Sequence, residues 1–501
     1  MRPQIASLEG EQFDVVVVGG GINGASTAQH LAAAGYKTLI VDRGDFGSGA
    51  SARSSRLLHC GLRYLTPGRS ILDFVRHPTR FSTALRMAQL AMDARGEFVR
   101  TSSARTNVMA LHFPIYRDGP YAAWQVDAAF KLLEWMGPGD VPLEYRRMSP
   151  SEVSKHPLLG NLRDIDQLVG VAAFSEYQFN WPERIALDAV LDAERLGATA
   201  RNYTSARLRG FAHENGWTIE LTDTLRQAAP VEVRGSTVLI MSGVWIDGLL
   251  RDVKPQVGRK VFGTKGCHLV VKLPDACVGA GIATLNSRNE PLYCIPWKQY
   301  HYFGPTETPY EGDLDRVFVT VEEAGDLLGE ANKLLPALRL TASDIRLSWA
   351  GVRPLTYDAA VPFGNRSRMI HDLAPEGLPN AWALTAGPVM THRSAARELT
   401  QVVGQRIKPS RPPDSPQYMP RAGRGGPEHA ATLSDELFRR SGIAWSGEPT
   451  DQDLAAAATE LATMLGWDDG RVADERRRFE TEWDELYAPP HACGRRFRRN
   501  A

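Results

Sequence analysis

Gly19, Gly21 and Gly24 form a GxGxxG pattern, and Asp42 follows 18 residues after the last of them. That combination is suited to holding a dinucleotide. The first glycine makes a tight turn, the second lets the backbone approach a pyrophosphate, and the third lets the following helix pack closely on the preceding strand. The pyrophosphate then sits at a helix N-terminus, where unpaired N–H groups and the positive dipole end favour an anion. Asp42 is placed to accept hydrogen bonds from the ribose hydroxyls of an adenosine. An acid there also repels a 2′-phosphate, which disfavours NADP.

Those four residues do this work only if a strand, a helix and a second strand carry them. Val15 to Val18 are continuously apolar and β-branched, as in a parallel strand buried on both faces. A helix follows from about Ala25 to Ala34, and LIVD supplies the second strand, ending on the acid. Residues 44–65 read as a small-residue loop leading into a helix. Helical spacing runs from Ile71 to Arg100, divided by Pro78. Residues 107–180 mix short strands and helices, and 182–222 give the helix PERIALDAVLDAERLGA and strands ending near Leu221. The apolar strand Val238 to Gly243 signals a return to the first sheet, CHLVVKL and LYCIPW read as strands of a second sheet, and AWALTA enters a glycine turn before a helix from Thr391 to Val403. Residues 408–429, rich in proline, glycine and charge, form a linker, and LSDELFRR and DLAAAATELATMLGW begin a helical appendix.

The expected fold is therefore α/β, with a Rossmann-like dinucleotide domain, an interleaved mixed-sheet substrate domain and a small C-terminal helical appendix. The first comprises residues 13–100, 180–256 and 348–407, the second 101–179 and 257–347, and the appendix 430–490.

Of the 501 residues, 58 are basic and 58 acidic, so bulk charge gives no reason to expect nucleic acid as a partner. Cys60, Cys267, Cys277, Cys294 and Cys493 are scattered, with no CxxC pair and no metal-ligand spacing. A reduced, cytoplasmic setting is expected, with no metal. No run approaches the about 18 apolar residues of a spanning helix. Peripheral contact with the inner face of a membrane stays open: the basic tail CGRRFRRNA reads as a solvated terminus or as a contact with anionic lipid or phosphate. No pattern assigns an oligomeric state.

Beyond the glycine pattern, the chain resembles the FAD-dependent glycerol-3-phosphate dehydrogenases, within the D-amino-acid-oxidase-like flavoproteins. GGGINGA at 19–25 is similar to the family's opening motif, and SSRLLHCGLRYL at 54–65 to its second signature, SSKLIHGGLRYL. KGCHLVV at 265–271, IPW at 295–297, GPTET at 304–308, SWAGVRPL at 348–355 and LSDELFRRSGI near the C-terminus resemble further segments. Two departures stand out. The family's GGKLTTYR is AGPVMTHR at 386–393, so Pro388 replaces an active-site lysine and His392 a tyrosine, and the helical C-terminal part is shorter.

The resemblance implies FAD as cofactor and oxidation of a secondary alcohol of a small anionic polyol derivative, a phosphate ester above all, by hydride transfer to flavin N5. A base removes the hydroxyl proton, and quinone or oxygen accepts the electrons. Arg63 and Arg353 are the anion anchors, because guanidinium grips phosphate or carboxylate through two parallel hydrogen bonds. Tyr64 and His392 are further substrate contacts. His268 and His59 are both base candidates, with His268 preferred. Cofactor contacts are expected at Gly19, Gly21, Ile22, Asn23, Gly24, Asp42, Arg43, Ser51, Ser54, Ser55, Gly243, Gly387, Val389, Met390 and Thr391, the helix after Thr391 pointing its N–H groups at the flavin C2 carbonyl. Cys60 reads as an inert buried thiol. An amine or amino-acid oxidase and a flavin-binding subunit without turnover are the competing readings. Loss of the lysine leads to the expectation that glycerol 3-phosphate itself is a poor substrate.

Overall fold

The computed structural model describes residues 4–65, 78–361, 363–420 and 428–490. The expected helical stretch around Ile71 to Val75 and the basic tail with Cys493 lie outside them. Two sheets organise the chain. The first has the strand order Met369–Asp372, Ala381–Thr385, Val231–Ile240, Gln12–Val18, Thr38–Val41, Thr199–Arg201. Its five strands from Ala381–Thr385 onward run parallel, while Met369–Asp372 pairs antiparallel. Both faces of this sheet are covered, which explains the unbroken apolar run at its centre. Val15 and Val17 pack with Ala25, Ala28 and Leu31 of the helix Ile22–Ala33 and with Ile185 and Val190 of the helix Pro182–Arg195. Val16 and Val18 point the other way, onto Trp217, Ile219 and Leu221 of the meander Thr204–Asp223.

The strand-to-helix turn depends on absent side chains. Gly19 has φ of 113°, and a Cβ on it would lie 2.6 Å from the Met241 backbone. A Cβ on Gly24 would lie 1.9 Å from the Gly19 carbonyl oxygen. The helix therefore starts hard against the strand, with Gly21 as an N-cap that offers no side chain to its free N–H groups.

The second sheet has ten strands. Its long antiparallel pair, Val261–Val271 with Ile345–Thr356, aligns Thr264 with Arg353, Gly266 with Gly351 and His268 with Trp349. Alternate residues share a face, so these six stand on one side of the sheet. The pairing corrects the expected domain boundary: residues 348–356 belong to the second sheet, and the chain returns to the first only at Met369. Pro78 opens the helix Pro78–Thr101, and the piece expected before it lies outside the described residues.

In the C-terminal unit, LSDELFRR is a π-helical turn, Asp435–Arg440, where an ordinary helix is expected. The helices Asp451–Leu465 and Asp469–Leu486 follow, capped by Thr450 and Asp468. Phe438, Trp445, Phe479, Trp483 and Tyr487 form an aromatic core continuous with Trp297 and Trp349 of the second sheet. This unit is thus packed onto the rest of the molecule. No helix among the described residues is long and apolar enough to cross a membrane.

Candidate active site

Between the two sheets runs a cavity of about 1450 Å³. It begins at the glycine turn and the Asp42–Arg43 end of the second parallel strand, and it reaches His59, Arg63, His268 and Arg353. Of the expected cofactor contacts, Gly19, Gly21, Ile22, Asn23, Asp42, Arg43, Ser51, Ser54, Ser55, Gly243, Gly387, Val389 and Met390 line it. Gly24 and Thr391 stand behind the lining. Gly24 acts through close packing, and Thr391 closes the turn Val389–Thr391 ahead of the helix His392–Gly404.

Backbone donors shape the turn end. The Asp42 carboxylate accepts from the Gly20 N–H at 2.6 Å and the Gly44 N–H at 2.8 Å, and burial pushes its carboxyl upward against these bonds. Ser51 Oγ accepts from the Ile22 N–H at 2.9 Å. The Asn23 amide donates to the Gly387 carbonyl at 2.9 Å, tying the first turn to the last strand of the sheet. At the mouth, Arg43 and the Trp245 indole N–H both bond Asp315.

The opposite end is cationic. Arg63, Arg353 and Arg366 line the cavity together with Glu307, Tyr64 and Tyr293. Gly266 makes room for Arg353: a Cβ there would lie 2.3 Å from Nη2. Arg353 donates from both Nη atoms to the Thr306 carbonyl at 3.3 Å. Burial, with the charges of Arg366 and Arg63 against Glu307, brings its guanidinium down to about 10. Arg366 pairs with Glu307, and burial and Arg63 lower it as well. A site that makes guanidinium groups uncomfortable without a ligand is relieved by an anion.

Two histidines complete this end. His59 is pushed down to about 3 by burial and by Arg63, and its ring lies edge-on to Tyr64 at 5.6 Å. His268 is 1% exposed and held well below its ordinary range by burial, Arg353 and Arg56. Its Nε2 is 3.0 Å from Ser55 Oγ, while Nδ1 has no hydrogen-bond partner among the described residues. Burial and the neighbouring arginines hold both imidazoles toward the neutral form, in which a ring nitrogen carries a free lone pair.

His392 departs from expectation. It is 2% exposed, its Nδ1 is 2.6 Å from the Val389 carbonyl, its ring meets Phe98, and it does not line the cavity. As the first residue of a helix on the first sheet, it turns into the core. Pro388 lines the cavity where the resemblance puts a lysine. Cys60 is buried, its thiol raised well above the ordinary range by burial and Glu176.

The sequence reading missed several lining residues. Glu307 lies within the quoted GPTET, so its motif was visible. Arg366 follows a loop without periodicity. Arg439, Glu482 and Tyr487 come from the C-terminal unit and had no local signal.

Residues 14–401 match the family described as FAD dependent oxidoreductase. The chain belongs to that family. Among curated relatives of this FAD-dependent oxidoreductase is a glycerol-3-phosphate dehydrogenase of Synechocystis sp., 29% identical over 418 residues that cover 81% of this chain and 72% of the relative. An alpha-glycerophosphate oxidase of Lactococcus lactis subsp. lactis is 30% identical over 363 residues, 70% of this chain and 56% of that one. Among solved structures, the glycerol-3-phosphate dehydrogenase of Bacillus halodurans complexed with FAD superposes with a TM-score of 0.72 at 19% identity, covering 96% of each chain. A glycine oxidase of Geobacillus kaustophilus gives 0.56 at 19% identity over 79% of this chain and 96% of that chain. At such identities the structural likeness speaks for the fold alone.

The oxidoreductase's own residues fit FAD. Gly19 and Gly24 leave no room for side chains, the N-cap Gly21 brings none to the helix N-terminus, and Asn23 Oδ1 and Ser242 Oγ are buried beside the cavity without a partner among the described residues. These are donors and acceptors placed for a polar, pyrophosphate-bearing ligand.

Proposed function

We propose that the protein oxidises the secondary alcohol of a small anionic polyol derivative, with a phosphate ester as the preferred class. The observation that carries this reading is the convergence of Arg63, Arg353 and Arg366 on one end of the FAD cavity, beside the neutral His59 and His268. Three guanidinium groups match the several oxygens of a phosphate better than the two of a carboxylate. The curated relatives named for glycerol 3-phosphate and alpha-glycerophosphate point to the same class.

Gly19 to Asn23, Asp42, Ser51 and the Gly387–Met390 turn would hold FAD, which when bound supplies the two-electron oxidant. The arginines fix the anionic end of the substrate, so the carbinol carbon is oriented before reaction. His268, which lines the cavity with Nε2 3.0 Å from Ser55 Oγ, is the residue that takes the hydroxyl proton. His59, edge-on to Tyr64 and next to Arg63, lines the same end and orients the substrate. Half-buried at the cavity wall, the arginines hold an anion more strongly than they would in open water. Pro388 supplies no charge where the resembling family has a lysine, so the preferred substrate differs from glycerol 3-phosphate.

The test is anaerobic bleaching of the bound flavin by a panel of polyol phosphates, free polyols and amines. Bleaching by an anionic polyol alone is the expected result. Reduction by amines would move the protein to the amine oxidases, and no bleaching by any member would favour a flavin-binding subunit.

A further inference from the structure

We propose that Arg56 is a positioning residue for His268: caged by three indoles, it acts through Trp349 and Ser55 to hold the imidazole in one orientation and uncharged. The proposal rests on the reading of His268 as the base.

Arg56 is 1% exposed, at a left-handed φ of 54° that a non-glycine residue adopts only when its surroundings demand it. Its guanidinium carbon lies 4.1 Å from the Trp445 ring centroid, 4.8 Å from that of Trp297 and 5.7 Å from that of Trp349. Nη2 donates to the Ala52 carbonyl at 3.0 Å, Nη1 to Glu183 at 3.4 Å, and Nε has no partner among the described residues. Hydrogen bonding alone does not account for so buried a cation; the indole faces and Glu183 hold it.

Two paths connect this cation to His268. Trp349 is the cross-strand partner of His268, and the rings stack with centroids 4.8 Å apart and planes at 15°. Trp349 therefore touches both the imidazole and the guanidinium. An imidazolium there would meet a like charge in a buried setting, where Coulomb repulsion is little attenuated. The second path runs through the backbone. Ser55, adjacent to Arg56, offers its hydroxyl to His268 Nε2, while its carbonyl accepts the Tyr302 hydroxyl at 2.6 Å. Locking Arg56 locks the residue that orients the ring.

The groups facing His268 are Arg353 on the paired strand, Arg56 against Trp349, and Tyr302 on the neighbouring strand with its ring edge-on at 5.7 Å, while Cys267, next to it on its own strand, points to the other face with Leu269 and Val271. Burial raises the Tyr302 hydroxyl above its ordinary value and brings the Cys267 thiol up to about 12, so both are neutral. Arg353 and Arg56 are the two charges acting on the ring, and both oppose its protonation. Trp445 comes from the C-terminal unit, so that unit contributes one wall of the cage behind the base.

The experiment uses FAD-loaded protein with 13Cε1-labelled histidine, the His268 resonance being assigned by its disappearance in His268→Asn. Wild type should show a neutral ring with no titration from pH 5.5 to pH 8.5. Arg56→Gln/Glu183→Gln, which replaces the buried pair by two amides, should bring the titration midpoint up into this range. Arg56→Lys should behave as wild type. Trp445→Leu, which dislodges the cation without deleting it, should shift the midpoint in the same sense as the double variant, and it serves as the test if that variant does not fold. A wild-type ring that titrates in this range, or a folded variant whose His268 resonance follows that of wild type, overturns the proposal. The readout follows the ring and not turnover. Failure here leaves the substrate reading standing, whereas failure of flavin bleaching removes the base role of His268 without changing the titration of its ring.

Discussion

Arg439 of the C-terminal π-helical turn and Asp45 of the loop after the second parallel strand form a buried ion pair across 394 residues of chain. Arg440 bonds the same carboxylate, Asn202 donates to it at 3.0 Å, and Arg439 also pairs with Asp435. Burial alone would raise the Asp45 carboxyl, but Arg440 and Arg439 hold it well below the usual carboxylate range. Removing one partner of such a buried network typically costs about 3–5 kcal/mol. Arg440→Ala, outside the cavity lining, is expected to lower the thermal midpoint of the holoenzyme and to speed FAD release, because Asp45 follows directly on Asp42, Arg43 and Gly44 at the cofactor end. Melting curves and flavin fluorescence read both; an unchanged midpoint with unchanged release would count against the clamp.

Arg353 and Arg366 should carry substrate capture without carrying the cofactor. A charge-assisted hydrogen bond is worth about 1.5–3 kcal/mol, or about tenfold or more in affinity. Arg353→Ala and Arg366→Ala are each expected to weaken saturation of flavin bleaching by at least about tenfold, with FAD content unchanged. Arg353→Lys should recover only part, since an ammonium lacks the planar fork. Normal turnover by the alanine variants would show that the anion is held elsewhere.

Glycerol 3-phosphate should bleach the bound flavin slowly or not at all. The backbone at Pro388, φ −61° and ψ 148°, is one that lysine adopts readily. Pro388→Lys is therefore expected to introduce a cation in a water-poor site and to improve reduction by this substrate. Stopped-flow absorbance decides the matter: rapid, saturable bleaching of wild type at sub-millimolar concentration would contradict the reading of Pro388.

Acid should destabilise the fold early. His392, His112 and His301 are buried away from the cavity lining, and burial pushes them down to about 3, about 4 and about 4, against an ordinary value of 6.5. Below pH 6.5 the unfolded chain binds three protons that the folded chain refuses until its own lower values are reached. Stability is thus greatest above pH 6.5 and falls toward pH 4, by about 1.4 kcal/mol per pH unit for each group. His112→Asn should flatten this slope by one proton. Unfolding free energies from urea titrations between pH 5 and pH 8 would expose a missing slope.

The glycine turn and Asp42 were legible because their chemistry is local: strand, turn and helix follow one another within thirty residues. Arg63, Arg353 and His268 were reached through short motifs that resemble a family. What escaped depends on pairing at a distance. By sequence, residues 348–356 group with the segment 348–407 that returns to the first sheet, but their register with Val261–Val271 assigns them to the second. His392 occupies a position of interest in the chain, yet its ring faces Phe98. Arg366 and the C-terminal lining residues carry no periodic signal, since they reach the cavity from a loop and from helices whose inward faces are set by the aromatic core around Trp445.

The clamp on Asp45 makes the cofactor end depend on a segment remote from it in the chain: the arginine partners of Asp45 and the Trp445 wall of the Arg56 cage all come from the C-terminal unit. A protease cut in residues 408–429 followed by dissociation of that unit would leave both sheets with an unpaired buried carboxylate beside the glycine turn and an open cage behind Trp349.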